Sequence, residues 1–399
     1  MEDIAVLALV MATLGQVALC VTILLTRSIR TPAYLPLAVF FIAGGIITAG
    51  PAFATFLPAL RTHLISITLP AYLLLGPMLW LYVEGLTSET PWRLAWRHSG
   101  HMVLFGLGLV ATGLIISLPM EVREAMFIYG TEEEVLAGAT GSKKIFPFIV
   151  AGYVFLLILG WIAQSGYYVI RVFRRLSLYR QRLKTLFASN EQRELHWLGW
   201  LVLVISGVWV LSFAMIISDN FFGYPLLSHR FGAAMALILI WSLGLWGLRQ
   251  KPGFEGRYLD LEPEALAAET ADAASEQKYQ RSALGDEQAG RIAGKINAAM
   301  DRDQLYLDSA LSLHKLAKHI AVSPNYISQT LNETIGTSFF DYVNKWRISA
   351  AKPQIASDNE TVLTIAMGVG FNARSSFYKA FKRETGLTPS EFRKTHSVE

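Results

Sequence analysis

Seven long apolar runs fill the first 250 residues, at about 4–26, 33–57, 64–86, 102–119, 145–170, 196–218 and 231–248. Each approaches or exceeds the ~20 residues that an α-helix needs to cross the hydrocarbon core of a bilayer. None contains lysine, and their one clear acid is Glu84, near the end of the third run. A water-soluble helical core does not sustain seven such runs in succession, so this half reads as a seven-helix transmembrane bundle. The first run has no basic start and no small-residue cleavage site, which argues against a secretory signal. Composition agrees, with 53% hydrophobic and 17% charged residues.

The basic residues give the runs a direction. With the N-terminus outside, the inner loops hold Arg27, Arg30, Arg93, Arg97, Arg171, Arg174, Arg175, Arg180, Arg182, Lys184, Arg193, Arg249 and Lys251. The outer loops hold Arg61, Arg123, Lys143, Lys144 and Arg230. Basic residues in short loops favour the cytoplasmic side, so the C-terminus is expected in the cytoplasm.

Within the membrane half, Pro70, Gly76 and Pro77 are expected to kink the third span. Gln16, His63 and Gln164 read as helix-to-helix hydrogen-bond partners, and Trp92, Trp96, Trp197, Trp200 and Trp246 as interfacial anchors. Residues 120–144 form an acidic outer loop that reads as solvated surface, with contact to an external cation or ligand as the alternative. The stretch 171–187 keeps Val172, Phe173, Leu176, Leu183, Leu186 and Phe187 at near-helical spacing among arginines. It reads as a basic amphipathic helix lying on anionic lipid, with transmission of a conformational change to the tether as the alternative. Cys20 is the single cysteine, so no disulfide within the chain is available.

Residues 252–287 carry nine acids (Glu255, Asp260, Glu262, Glu264, Glu269, Asp272, Glu276, Asp286 and Glu287) against Arg257, Lys278 and Arg281. With little to bury, they read as an acidic flexible tether between a domain at 1–251 and one at 288–399.

The last third changes character. Over 361–393, Val362, Ile365 and Ala366 stripe a short helix behind the cap Thr361. Gly368 and Gly370 mark a turn expected to need positive φ, and Asn372 is placed to cap a second helix. That helix keeps Phe377 and Phe381 on one face and sets Arg374, Ser375, Tyr378, Lys379 and Lys382 on others, until Gly386 ends it and Pro389 starts another. A helix that buries phenylalanine while presenting such a polar face suits the DNA major groove.

Gly370-Phe371, Ser375, Phe377, Lys379, Phe381-Lys382, Gly386, Thr388-Pro389, Phe392 and Arg393 match, without a gap, the spaced signature of AraC/XylS-type transcription regulators. The resemblance implies two helix-turn-helix units. The other lies at 311–336, where Ser312 caps a helix striped by Leu313, Leu316, Ala317 and Ile320. Ser323-Pro324 then starts a helix carrying Asn325, Tyr326, Gln329 and Asn332 outward and Ile327 and Leu331 inward. Residues 338–355 resemble the family's joining helix, with Asn344 and Arg347 as a recurrent pair. Pro353 is expected to end that helix near Lys352.

The resemblance further implies two helices entering successive major grooves, a bacterial host and contact with RNA polymerase. Asn325, Tyr326, Gln329, Arg374, Ser375 and Tyr378 are the base-edge candidates, with Asn332 on the same helix as Gln329. Lys379, Lys382 and Arg383 are placed to touch phosphate or flank the groove. No HExxH, P-loop or kinase pattern occurs, so neither enzyme chemistry nor a cofactor or metal is expected.

The chain therefore reads as an all-α, membrane-bound, DNA-binding regulator of the bacterial inner membrane. Its expected partners are promoter DNA, RNA polymerase and membrane lipid, together with an unidentified small-molecule or membrane signal; homodimerisation stays open. A transporter with a regulatory DNA-binding tail and a passive membrane anchor are the alternatives. A reporter that works only in the cytoplasm should be active when fused after Lys251 and silent when fused near Glu133. The reverse pattern would remove the DNA reading altogether.

Overall fold

The computed structural model describes residues 3–88, 92–129, 140–188, 229–250, 285–357 and 360–396, with 131, 135–136, 199–200, 203–204 and 206–207. The chain divides into two compact units, Met1–Leu176 with His196–Gly256 and Ser177–Leu195 with Arg257–Glu399. Every regular element among the described residues is helical.

The first unit contains α1 (Ile4–Ser28), α2 (Leu35–Thr48), α3 (Gly50–Phe56), α4 (Arg61–Leu86), α5 (Val103–Ser117), the first part of α6 (Ser142–Leu186) and α7 (His229–Arg249). Among the described residues, five helices are long and apolar enough to cross a membrane, and the α2–α3 pair, bent by 53°, brings the number to as many as six. The sixth apolar run, 196–218, falls largely outside the described residues.

Pairing at the helix ends fixes their directions. Asp3 caps α1 by accepting from Ala5 N–H at 3.0 Å and also binds Arg230 at the start of α7. At the other end, three side chains reach backbone carbonyls of the α7 terminus, where helix carbonyls lack intrahelical donors. Tyr34 OH donates to the Gln250 carbonyl at 2.6 Å, Tyr82 OH to Gly247 at 3.4 Å, and Arg27 to Leu248. So α1 and α7 run parallel. Ala52 of α3 clusters with Val6 and Val10 and touches Ala233, at the Asp3 end. Tyr34, just before α2, and Tyr82, late in α4, mark the opposite end. The α2–α3 pair therefore passes from one end to the other, and α4 returns. Backbones approach closely: a Cβ on Gly244 would stand 2.8 Å from Cys20 Sγ.

Some expectations for this unit change. Trp92, read as a lipid anchor, is buried and stacked on His98 at 5.5 Å between ring centroids. Glu84 faces His98 Nε2 at 3.5 Å. The helix in which Pro70 and Pro77 are expected to give a kink is α4, and both prolines lie inside it.

The second unit opens with the last turns of α6. Leu186 packs with Ala188 against Ile296, Leu313, Leu316 and Ile327. The end of the amphipathic stretch, at Leu186 and Phe187, therefore meets protein, where a lipid surface was expected. Either environment rewards the same apolar spacing.

Next come α8 (Asp286–Asp301), α9 (Leu313–Ile320), α10 (Pro324–Gln329, prolonged by a π-helical turn at Thr330–Ile335), α11 (Phe339–Ala356), α12 (Val362–Gly368), α13 (Arg374–Thr385) and α14 (Pro389–His396). Ser312, Ser323, Ser338 and Thr361 cap α9, α10, α11 and α12 through their hydroxyls. Thr388 and Glu391 form a reciprocal box at the start of α14.

Three local expectations are corrected. Gly370 takes φ +93°, but Gly368 closes α12 with no positive φ. Ala373 holds the cap position of α13, and Asn372 Nδ2 instead donates to the Ser309 carbonyl at 3.1 Å. Helix α11 runs on to Ala356 through Pro353. Pro353 lies in the last turn and costs only the bond to the Ser349 carbonyl; both residues are exposed, so water can satisfy it.

Arg347, on α11, has no exposed surface. Its Nε donates to Tyr306 O at 2.8 Å, Nη2 to Asp308 O at 2.9 Å and Nη1 to Ala188 O at 3.2 Å. The guanidinium carbon lies 5.5 Å from the Phe371 ring centroid. A Cβ on Gly370 would come within 2.5 Å of Tyr306 O, so this corner excludes any side chain. Burial works upward on the Asp308 carboxyl, but the Lys315 bond at 2.9 Å, the Ala310 N–H and the Lys315 and Arg347 charges outweigh it and hold it below the usual range. This contribution to stability is present above the ordinary carboxylate pKa and is lost as pH falls through the lowered one.

Arg347→Leu should cost roughly 3 kcal/mol or more, about 1 for each carbonyl left without its donor. Gly370→Ala should also destabilise. Hydrogen exchange on the full chain would register both as lost protection along α11 and α13. Unchanged protection in Arg347→Leu would refute the assigned role.

Candidate nucleic-acid interface

Helices α9–α10 and α12–α13 each form a helix-turn-helix, and their second helices carry the sequence-derived candidates. On α10, the Ser323 cap and Pro324 at the first position start the helix. Buried Ile327 and Leu331 hold its inner face, leaving Asn325, Tyr326 and Asn332 exposed and Gln329 half-buried. Gln329 Nε2 donates to Glu333 at 2.9 Å, and Asn332 Nδ2 to Ser328 Oγ at 3.4 Å.

On α13, Phe377 and Phe381 are wholly buried against Phe371 and Phe392, with ring centroids 5.3–5.5 Å apart along the series. That anchor turns Arg374, Ser375, Lys379, Lys382 and Arg383 outward and leaves Tyr378 half-buried. Arg374 Nη2 donates to Tyr378 OH at 3.0 Å, with the guanidinium carbon 4.9 Å from the ring centroid. Burial works upward on the Tyr378 hydroxyl. Hydrogen bonds from Ser390 and Arg374, with the charges of Arg374 and Arg393, outweigh it and hold it below the usual tyrosine range. Arg374 is thus held against α13 before any base is met, in the first turn, where recognition helices meet base edges.

Arg383 behaves differently from its neighbours. Its Nη1 lies 2.7 Å from Asp341 Oδ1 and its Nε 3.5 Å from Glu384. Asp341 sits in the first turn of α11, so this ion pair ties the second reader to the joining helix. Sequence reading missed Asp341, because nothing in the local pattern marks a partner 42 positions away in the chain. It also left Arg393 as a signature residue; here Arg393 donates to the carbonyls of Ile355 at 3.3 Å and Glu360 at 2.7 Å and so docks α14 on α11. Among the described residues, no group of three or more His, Cys, Asp or Glu is placed to hold a metal.

Residues 316–395 match the family described as "Helix-turn-helix domain". An uncharacterised HTH-type transcriptional regulator of Staphylococcus aureus is 32% identical over 99 residues, covering 25% of this chain and 13% of that protein. The arabinose operon regulatory protein of Salmonella typhimurium is 33% identical over 86 residues, covering 22% of this chain and 31% of that protein. The chain thus spans less than a third of the length of these relatives. The C-terminal domain of AraT, a response regulator from Geobacillus stearothermophilus, aligns with a TM-score of 0.25 and 27% identity, over 30% of this chain and 92% of that one.

Arg374→Ala should relax preference at one base pair, since a bidentate arginine–guanine contact contributes ~1–3 kcal/mol of discrimination. Lys382→Ala should weaken binding to all sequences alike and make the salt slope shallower by ~1. Selection from random duplexes at two salt concentrations separates the two. Uniform loss in both variants would leave Arg374 as added charge only. The paired helices, their buried anchors and the matched sequence together make the C-terminal part of this chain an AraC-type helix-turn-helix domain.

Proposed function

We propose that the chain is a transcription regulator of the bacterial inner membrane, in which a seven-helix domain couples a membrane or extracytoplasmic signal to promoter binding by a cytoplasmic double helix-turn-helix. The observation that carries the DNA reading is the pair of helices α10 and α13, each anchored by buried apolar side chains and presenting polar ones outward. Asn325, Tyr326, Gln329, Asn332, Arg374, Ser375 and Tyr378 face base edges in this reading. Lys379 and Lys382 meet phosphate. Arg383, paired with Asp341, sets the placement of the second reader. RNA polymerase and a second copy of the chain are the further protein partners in view.

The membrane reading draws support from helix directions. Taking the Asp3 end as outside, α1 leads inward, α2–α3 outward, α4 inward and α5 outward. Helix α6 leads inward again, because Arg175 donates to Thr87 Oγ1 at 2.9 Å beside the inner end of α4. Yet α7 starts at the Asp3 end. A start of α7 at that end supports the seven-crossing reading, in which the apolar run 196–218 of the sequence supplies the remaining crossing. Both exits, after α6 and after α7, then lie on the side where the basic residues concentrate.

The full chain should fractionate with membranes and pull down a discrete set of promoter fragments, with affinity falling steeply as salt rises. Removing residues 1–170 should alter transcription from those promoters. Regulation that persists unchanged would favour a passive anchor, and salt-insensitive binding would count against phosphate contacts.

A further inference from the structure

Helix α6 is 45 residues long. At 1.5 Å per residue that is about 68 Å, roughly twice a bilayer core, so its C-terminal part runs well beyond the bilayer. Its last residues are built into the first DNA-reading unit. Phe187 N–H closes the helix on the Leu183 carbonyl at 2.9 Å. Phe187 then forms an antiparallel β-bridge with Ser312, and Ala188 N–H donates to the Leu311 carbonyl at 3.2 Å. The Ala188 carbonyl accepts from Arg347 Nη1, and the Ala188 side chain is 1% exposed within the core that contains Leu313, Leu316 and Ile327.

Each contact lands on a residue with a second duty. Ser312 Oγ caps α9 by accepting from Lys315 N–H at 3.3 Å. Arg347 holds Tyr306 and Asp308 by their carbonyls and faces Phe371 of the second unit. Withdrawal of the α6 end would take an acceptor from a buried cation, expose part of a packed core and loosen the strap beside the α9 cap. A buried guanidinium that loses an acceptor draws in water or moves, and either shifts the elements it holds.

We propose that residues Leu183–Ala188 are a control segment of the DNA-binding domain. Seated, they complete the first reader; displaced by movement of α6, they disorganise it. The signal then travels through the helix continuous with a membrane span, and the 252–287 tether only keeps the halves together. The inference rests on the DNA-binding reading above.

The full chain in detergent provides the test, with a duplex selected by the unmodified protein from random DNA as probe. Ala188→Pro removes the N–H that bonds Leu311. It should lower affinity at least tenfold. In a Cys20→Ser background, Phe187→Cys with Ser312→Cys should form a disulfide on oxidation, because bridged residues lie ~4.5–5.5 Å apart between Cα atoms, inside the range a disulfide spans. Adding Ala188→Pro to that pair should give a protein that binds weakly when reduced and recovers at least fivefold when oxidised. Comparing two redox states of one protein cancels the loss of the Ser312 cap. Binding of Ala188→Pro within twofold of the unmodified chain would overturn the proposal, as would recovery absent from a fully oxidised sample. No disulfide would refute the seating while leaving DNA binding intact. Failure of the unmodified chain to select any duplex would instead overturn the DNA reading itself.

Discussion

A buried guanidinium organises the DNA-reading half. A charge removed from water must be met by acceptors, and Arg347 meets backbone carbonyls from segments far apart in the chain: Tyr306 and Asp308 before α9, and Ala188 after α6. Because carbonyls are fixed by the path of the backbone, the arginine dictates where those segments pass. Gly370 follows from the same constraint, since only a residue without a side chain fits against Tyr306 and Leu307 there. The two readers therefore share a hinge point at α11, reinforced at its start by Asp341 with Arg383 and near its end by Ile355 with Arg393.

In the membrane reading proposed above, the other half is held by different physics: in an apolar medium burial alone does not drive helices together, so close contact and satisfied backbone ends carry more weight. Glycine lets α7 approach Cys20 of α1, and tyrosine and arginine side chains supply donors to the carbonyls at its terminus. Polar side chains thus serve the helix ends, and within the helix bodies Thr112 Oγ1 donates to the Ser66 carbonyl at 2.7 Å and so joins α5 to α4.

Much of this was legible in the sequence. Six of the seven apolar runs coincide with helices, and the caps Ser312, Ser323 and Thr361 stand where local pattern put them. The candidate readers lie on α10 and α13 because Ile327, Leu331, Phe377 and Phe381 fix the inner faces. What was not legible has one cause: local spacing shows that a face is apolar but not what covers it. The 171–187 stretch satisfies a lipid surface and a protein core equally well. Asn372 reads locally as a cap because the competing acceptor, the Ser309 carbonyl, lies far away in the chain, and the Asp341 partner of Arg383 is likewise distant. Pro353 was misjudged through its position, since proline in a solvent-facing last turn costs little.

The seating of Ala188 among residues from the far end of the chain bears on how such proteins can be assembled from parts. A gene fusion with one breakpoint between 252 and 285 would join a foreign DNA-reading half to an α6 end shaped for this core, with Ala188 aimed at an arginine its new neighbour need not possess. Exchange of the halves between relatives would require three crossovers, one just before Ser177, one just after Leu195 and one just after Gly256. The unit of inheritance for DNA reading in this chain is discontinuous, and shuffling that respects linear order would produce proteins whose halves are joined covalently but whose DNA-reading core is built from two parents.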